Sequence, residues 1–200
     1  MQTELEAASL GIDLDTLRQK LQDVGATQVH EARLMRRYNF DFPDGRLQKT
    51  GGWVRIRDEG NKITMSYKQL NDRTLEGTKE VNLVIDSMDQ AKAFLECLGL
   101  VAKSYQETRR ESWKMDQAEI ELDEWPWIRP FIEVEATDET TLKAVFAALD
   151  LPWDTAVFGS VEVAYLAEYD VSEKIVDDLP VITFDLPVPE ILASKKRTTA

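Results

Sequence analysis

Arg55 and Arg57 alternate along Trp53-Val54-Arg55-Ile56-Arg57, so in an extended segment both side chains leave from one face. Lys68 closes a second alternating run in which Thr64, Ser66 and Lys68 share the polar face, and Arg110 lies in a third run, Tyr105–Met115. Carboxylates follow the same rule elsewhere: Glu4 with Glu6, Glu119 with Glu121 and Asp123, and Glu133 with Glu135, while Glu80 sits opposite Val81 and Leu83. Each run carries mainly one sign of charge. Guanidinium groups make forked contacts to phosphate oxygens. Clustered carboxylates suit Mg²⁺ or Mn²⁺, which take oxygen ligands and bridge to phosphate. A site holding both types points to a metal-bound polyphosphate.

The elements that must position these residues follow from the apolar spacing. Residues 3–8 read as a strand, and Leu14, Leu17, Leu21 and Val24 recur at helical spacing before Gly25. Leu34–Asp41, Trp53–Asp58 and Lys62–Gln69 read as strands, with turn signals at Asp44-Gly45 and Glu59-Gly60-Asn61. The order then repeats. Lys79–Asp86 is a strand, and Ser87 with Gln90 offers a capping box. Ala91, Phe94, Leu95 and Leu98 line the expected buried face of a second helix, and Tyr105–Met115, Ala118–Asp123 and Pro130–Ala136 are strands. Strand, helix and three strands, twice over, describe a βαβββ repeat. A third helix carries Leu142, Val145, Phe146 and Leu149, and Val161–Tyr169 reads as a short fourth. The expected division is a domain over 1–170 and an extension over 171–200, which holds Pro180, Pro187 and Pro189, packs on the domain and frays at its basic end.

Two arrangements satisfy this alternation. In one, an antiparallel sheet turns its charged face to water. In the other, a closed barrel puts the charged faces inside and its apolar faces, with Val81, Leu83, Ile85, Ile120, Leu122, Ile132 and Val134, under the helices.

The 200 residues fit one domain with a tail. A net charge of −13 argues against unspecific nucleic-acid or anionic-membrane binding. No apolar run reaches the ~20 residues of a membrane helix, and the first residues lack a signal-peptide pattern. The single cysteine, Cys97, fits a reducing cytoplasm and is expected in the core, and the single histidine, His30, is expected at the surface. The five tryptophans are expected to pack or to line a rim.

The strands resemble those of the CYTH family, the triphosphate tunnel enzymes, over roughly residues 3–170. The resemblance rests on Glu4-Leu5-Glu6-Ala7-Ala8, on Arg55-Ile56-Arg57, on Ser66-Tyr67-Lys68-Gln69, on Lys79-Glu80 and on Arg109-Arg110 within Glu107–Trp113. It continues through the acidic runs Glu119–Asp123 and Phe131–Glu135 to Ser160–Tyr165. It implies an α+β fold: an eight-stranded antiparallel tunnel with a charged interior and helices outside. It also implies a metal-dependent enzyme acting on a triphosphate-containing small molecule, with phosphohydrolase action on inorganic or organic triphosphates as the main reading. Class IV-type adenylate cyclase action, giving cyclic AMP and pyrophosphate from ATP, is the alternative.

By the same resemblance, Arg55, Arg57, Lys68 and Arg110, with Arg37 and Glu80, form the substrate site. Glu4, Glu6, Glu133 and Glu135 hold Mg²⁺ or Mn²⁺. Lys68, Arg110 and one of Glu119, Glu121 and Asp123 serve the chemistry. Ala8 stands where the family motif has a lysine, and Asn82 stands on a strand where an acid is common. A catalytically weakened polyphosphate-binding protein is therefore a third reading, and Ala8→Lys is expected to raise activity. A homodimer is left open.

Overall fold

Ten strands and six helices follow from these patterns in the computed structural model, which describes residues 1–198. The first half runs β1 (Gln2–Thr3), β2 (Leu5–Leu10), α1 (Leu14–Asp23), β3 (Thr27–Asp41), β4 (Gly52–Asp58) and β5 (Ile63–Leu70). The second half repeats that order as β6 (Thr78–Ile85), α2 (Met88–Cys97), β7 (Val101–Met115), β8 (Ala118–Glu124) and β9 (Phe131–Ala136). Next come α3 (Glu139–Ala148), α4 (Glu162–Glu168), α5 (Glu173–Asp177), β10 (Val181–Ile182) and α6 (Glu190–Ala193). Asp13, Ser87 and Asp138 start α1, α2 and α3 by accepting a backbone N–H of the first turn, which satisfies one of the donors left free there.

The strand order is β1-β6-β5-β4-β3-β7-β8-β9-β2, antiparallel throughout, with β10 added in parallel to β7. The ends of this order meet in one run of chain. Gln2 and Thr3 pair with Glu80 and Lys79, the Glu4 amide donates to the Thr78 carbonyl, and Leu5–Leu10 pair with Phe131–Ala136. Residues 2–10 thus link β6 to β9 and nearly close the sheet into a barrel. Counted as one run, they give the expected eight wall members. The split of that run into β1 and β2, and the small β10, make ten.

The apolar outer face is covered unevenly. Ile120, Leu122, Ile132 and Val134 are fully buried beneath Leu17 and Leu21 of α1 and Leu142, Val145 and Phe146 of α3. On the opposite wall α2 packs Ala91 and Leu95 against Phe40 and Ile56. The expected buried stripe of α2 is narrower than its sequence suggested. Phe94 and Leu98 are exposed, Val81 and Leu83 are left uncovered, and Cys97 is exposed rather than in the core. A ten-residue helix lying on one strand buries a single row at i and i+4, and the neighbouring row turns outward.

The extension packs on the domain, as expected. α4, α5 and the chain to Leu192 build a second apolar cluster with Trp125, Phe131, Tyr165 and Tyr169 across one end of the barrel. Lys196 bridges to Tyr169, and the Arg197 amide donates to the Glu168 carbonyl. The expected frayed end, Thr199 and Ala200, lies outside the described residues.

Candidate active site

Period-2 alternation in a barrel sends every second side chain into the lumen. Cross-strand register shows which ones meet. Arg37 of β3 stands opposite Arg57 of β4, Asn39 opposite Arg55, and Lys68 of β5 opposite Glu80 of β6. Arg110 of β7 faces Asp123 of β8, Glu121 faces Glu133 of β9, and Glu119 faces Glu135. Glu6 of β2 faces Glu135, and Ala8 faces Glu133. Cations therefore line β3, β4, β5 and β7, and carboxylates line β8, β9, β2 and β6. The cavity between them has a volume of about 870 Å³.

On the basic wall Arg37 and Arg55 are buried; Arg37 makes no ion pair among the described residues, and Arg55 makes one long one. Arg37 donates from Nη2 to Thr108 Oγ1 at 3.1 Å and lies over the Trp125 ring at 4.5 Å. Arg55 Nη2 is 3.5 Å from Glu80. The Nε atoms of both arginines are buried without a hydrogen-bond partner among the described residues. Burial, and then the neighbouring Arg57 and Arg55, push Arg37 well below the usual guanidinium range. Burial and Arg57 bring Arg55 down to about 10. Buried positive charge that is only partly paired is costly unless an anion enters.

Arg57 is held by Glu59 (2.7 Å), which also accepts from Thr64 Oγ1 at 3.0 Å. Lys68 Nζ lies 2.9 Å from Glu4 and 3.3 Å from Glu80. Burial and the hydrogen bond shared with Glu80 push the Glu4 carboxyl up to about 8. Burial also acts on Glu80, but its contacts with Glu4, Lys68 and Arg55 overcome it and take that carboxyl down to about 2.

The acidic wall is organised around Arg110. Its Nε donates to Asp123 at 2.7 Å, and its Nη2 reaches both Asp123 and Glu133, the latter at 2.6 Å. Asp123 is wholly buried behind Arg110 and does not line the cavity, a geometry suited to supporting that guanidinium rather than orienting a nucleophile. Glu119 is exposed at a mouth of the tunnel. Glu121 faces the lumen, accepts from Ser112 Oγ at 2.7 Å, and is pushed up by burial.

No three His, Cys, Asp or Glu side chains are already gathered as a metal cage among the described residues. The donor set is nevertheless of the right kind. Glu6 and Glu135 stand side by side, offer only oxygen, and make no ion pair among the described residues, whereas Glu4 and Glu133 are engaged by Lys68 and Arg110. Burial pushes Glu6 up to about 7. A divalent cation is the natural complement to carboxylates left in that state.

Sequence reasoning missed Arg33 and Glu59. Arg33 donates from Nε to the Glu59 carbonyl and from Nη1 to Ser112 Oγ, so it ties β3 to β7 beside Glu121. The lumen alternation of β3 extends back through Met35 to Arg33, so the signal was present upstream of the segment read as a strand. His30, expected at the surface, is half-buried in β3 and lines a mouth, 3.3 Å from Asn61.

Comparison with known proteins agrees with this architecture. A protein from Vibrio parahaemolyticus assigned as an adenylate cyclase superposes with a TM-score of 0.69 at 17% identity, over 82% of this chain and 97% of that one. PH1012 from Pyrococcus horikoshii OT3 gives 0.65 at 18% identity, over 76% and 93%. HpAC1 from Hippeastrum, an assigned adenylyl cyclase reported to show a dominant triphosphatase activity, gives 0.54 at 16% identity, over 80% and 91%. At these identities the likeness is one of fold. No curated protein matches the sequence. The family model described as the CYTH domain matches residues 4–152, a span that contains every lumen residue described above, and the chain belongs to the CYTH-domain family.

Proposed function

We propose that the protein is a metal-dependent phosphohydrolase acting on inorganic or organic triphosphates. The observation that carries this reading is the lumen's segregated charge, with the buried, under-partnered Arg37 and Arg55 facing a wall of carboxylates. A triphosphate would satisfy the first set, and a divalent cation would satisfy the second.

Arg37, Arg55, Arg57, Lys68 and Arg110 bind the phosphate oxygens and hold the chain in line for attack at the terminal phosphorus. Glu6 and Glu135, with Glu4 and Glu133, hold Mg²⁺ or Mn²⁺. When bound, such an ion neutralises phosphate charge and makes a coordinated water more acidic. Ser112 donates to one Glu121 oxygen, and in this reading the other accepts the proton of an attacking water. Asp123 keeps Arg110 aimed at the lumen.

The test is phosphate release from inorganic triphosphate with Mg²⁺ or Mn²⁺, for the parent and for Arg55→Ala. Turnover that falls by ~10²–10³ in the variant is the expected result, by analogy with loss of one preorganised donor. Absence of turnover on any triphosphate, with no effect of Arg55→Ala on binding, overturns the reading. The second reading, cyclisation of ATP, draws support from the likeness to proteins assigned as adenylate cyclases. It uses the same phosphate-binding residues and is distinguished by cyclic AMP formation. Tight binding without turnover would favour the weakened binder that Ala8 suggests.

A further inference from the structure

Arg37 stands apart from the other cations given to the phosphate chain. Arg57 is paired with Glu59, Lys68 with Glu4 and Glu80, and Arg110 with Asp123 and Glu133, while Arg55 keeps its long contact to Glu80. Arg37 has no such partner among the described residues, although burial and the charges of Arg57, Arg55 and Arg110 all act against its guanidinium. Its side chain donates to a neutral acceptor, the wholly buried Thr108 hydroxyl. A long, flexible side chain held in this way keeps one direction only if packing fixes the rest of it.

The packing comes from the indole of Trp125. The Arg37 guanidinium carbon lies 4.5 Å from the centre of that ring, and Trp125 is 5% exposed. The face of an indole attracts a cation, most strongly when both are out of water. Unlike a carboxylate, it leaves the net charge of the guanidinium in place for an anion. The turn that presents Trp125 is held from behind. Trp127 has a φ of 72°, a left-handed backbone that bulky residues rarely adopt. Such a conformation persists where its surroundings fix it. Here the Tyr165 hydroxyl donates to the Pro126 carbonyl at 3.0 Å, the Tyr169 hydroxyl to the Trp127 carbonyl at 2.5 Å, and the Trp127 indole N–H to the Leu186 carbonyl at 2.9 Å. Tyr165, wholly buried in α4, also meets the Trp125 ring edge-on, with ring centres 6.4 Å apart.

We infer that Trp125 is a positioning residue for the phosphate site: its ring holds Arg37 in the lumen without neutralising it, and Tyr165 and Tyr169 hold the turn that carries the ring. The inference rests on the triphosphate-binding role given to Arg37 above. It ties α4, which lies outside the strands, to affinity for the substrate. A Trp125 that only filled the apolar cluster at this end of the barrel would contribute to stability, and its loss would act on binding in the same way whether or not Arg37 were present.

The test is calorimetric binding of the imido analogue of inorganic triphosphate, which resists hydrolysis, to the full chain with Mg²⁺. The proteins are the parent, Trp125→Phe, Trp125→Leu, Arg37→Ala, and Arg37→Ala combined with each Trp125 substitution. Melting curves set a temperature at which every protein compared is folded. Trp125→Leu is expected to weaken binding about tenfold or more, and Trp125→Phe by less, because the smaller ring keeps part of the attraction. Once Arg37 is alanine, either Trp125 substitution should change affinity by no more than about twofold. Should Trp125→Leu fail to fold, Trp125→Phe in the two Arg37 backgrounds carries the same comparison. Equal losses in both backgrounds, or no loss in any folded Trp125 variant, overturn the proposal and leave the triphosphate reading standing. A parent that binds no triphosphate overturns that reading, and the proposal with it.

Discussion

Removing the Glu6 carboxylate should flatten the pH dependence of stability in the metal-free protein. Burial is the largest influence on this group, and it outweighs the pull of Lys68 while Glu133 and Glu135 add to it. The carboxyl therefore titrates at about 7 in the folded chain, against 4.5 for the ordinary group. Between those values the folded form holds a proton that the unfolded chain has released. Stability from this group is full below about 4.5 and is lost as pH rises through about 7. At about 1.4 kcal/mol per pH unit, that displacement is worth about 3 kcal/mol. For a chain of this length each kcal/mol moves the melting temperature by about 2–4 °C, so the group accounts for roughly 6–12 °C. The assay is differential scanning calorimetry of the chelator-treated parent and of Glu6→Gln, on both sides of that window. The parent should lose roughly 6–12 °C more than the variant on going to the alkaline side. Added Mg²⁺ should restore the parent chiefly at the alkaline pH, because the cation needs the ionised carboxylate. Identical pH slopes for parent and variant would refute the reasoning.

Arg55→Ala should leave the fold intact and weaken triphosphate binding in calorimetry as well as turnover, because Glu80 keeps Lys68 as a partner when the long pair with Arg55 is lost. Arg110→Ala should cost about 3–5 kcal/mol in urea unfolding, because it strands the buried Asp123 beside Glu133. Adding Asp123→Asn to that variant should recover part of the loss, and no recovery would show that Asp123 is stabilised by something else. Ala8→Lys should raise phosphate release, since position 8 faces the lumen opposite Glu133. Ala8 also packs on the apolar cluster of Trp125 and Tyr165, so the variant's melting temperature should fall. A folded variant that binds triphosphate and is no faster would refute the role assigned to that position.

Much of the candidate site was legible because strand alternation is a local property. It grouped Arg55 with Arg57, Glu4 with Glu6, and Glu133 with Glu135 before any pairing was known, and the lumen register keeps those groups together. Helix burial was less legible. Ala91, Phe94, Leu95 and Leu98 form one broad apolar stripe in sequence, but the row that packs is chosen by how α2 sits on β4. Cys97 was misread for the same reason: its helix buries less than its composition suggests. Arg33 and Glu59 went unread because one lies upstream of the recognised strand and the other in a turn.

The sequence by itself determined the two βαβββ halves, the side of each strand that carries charge, and the sign of that charge. The side facing inward was decided by tertiary structure, because alternation is symmetric between a solvated face and a lumen. Closure depends on residues 2–10 bridging β6 and β9, pairings nearly eighty and more than one hundred and twenty residues apart in the chain. Only that closure brings arginines and carboxylates from eight separate runs into one desolvated space, where each charge is set by its neighbours across the barrel as well as along its own strand.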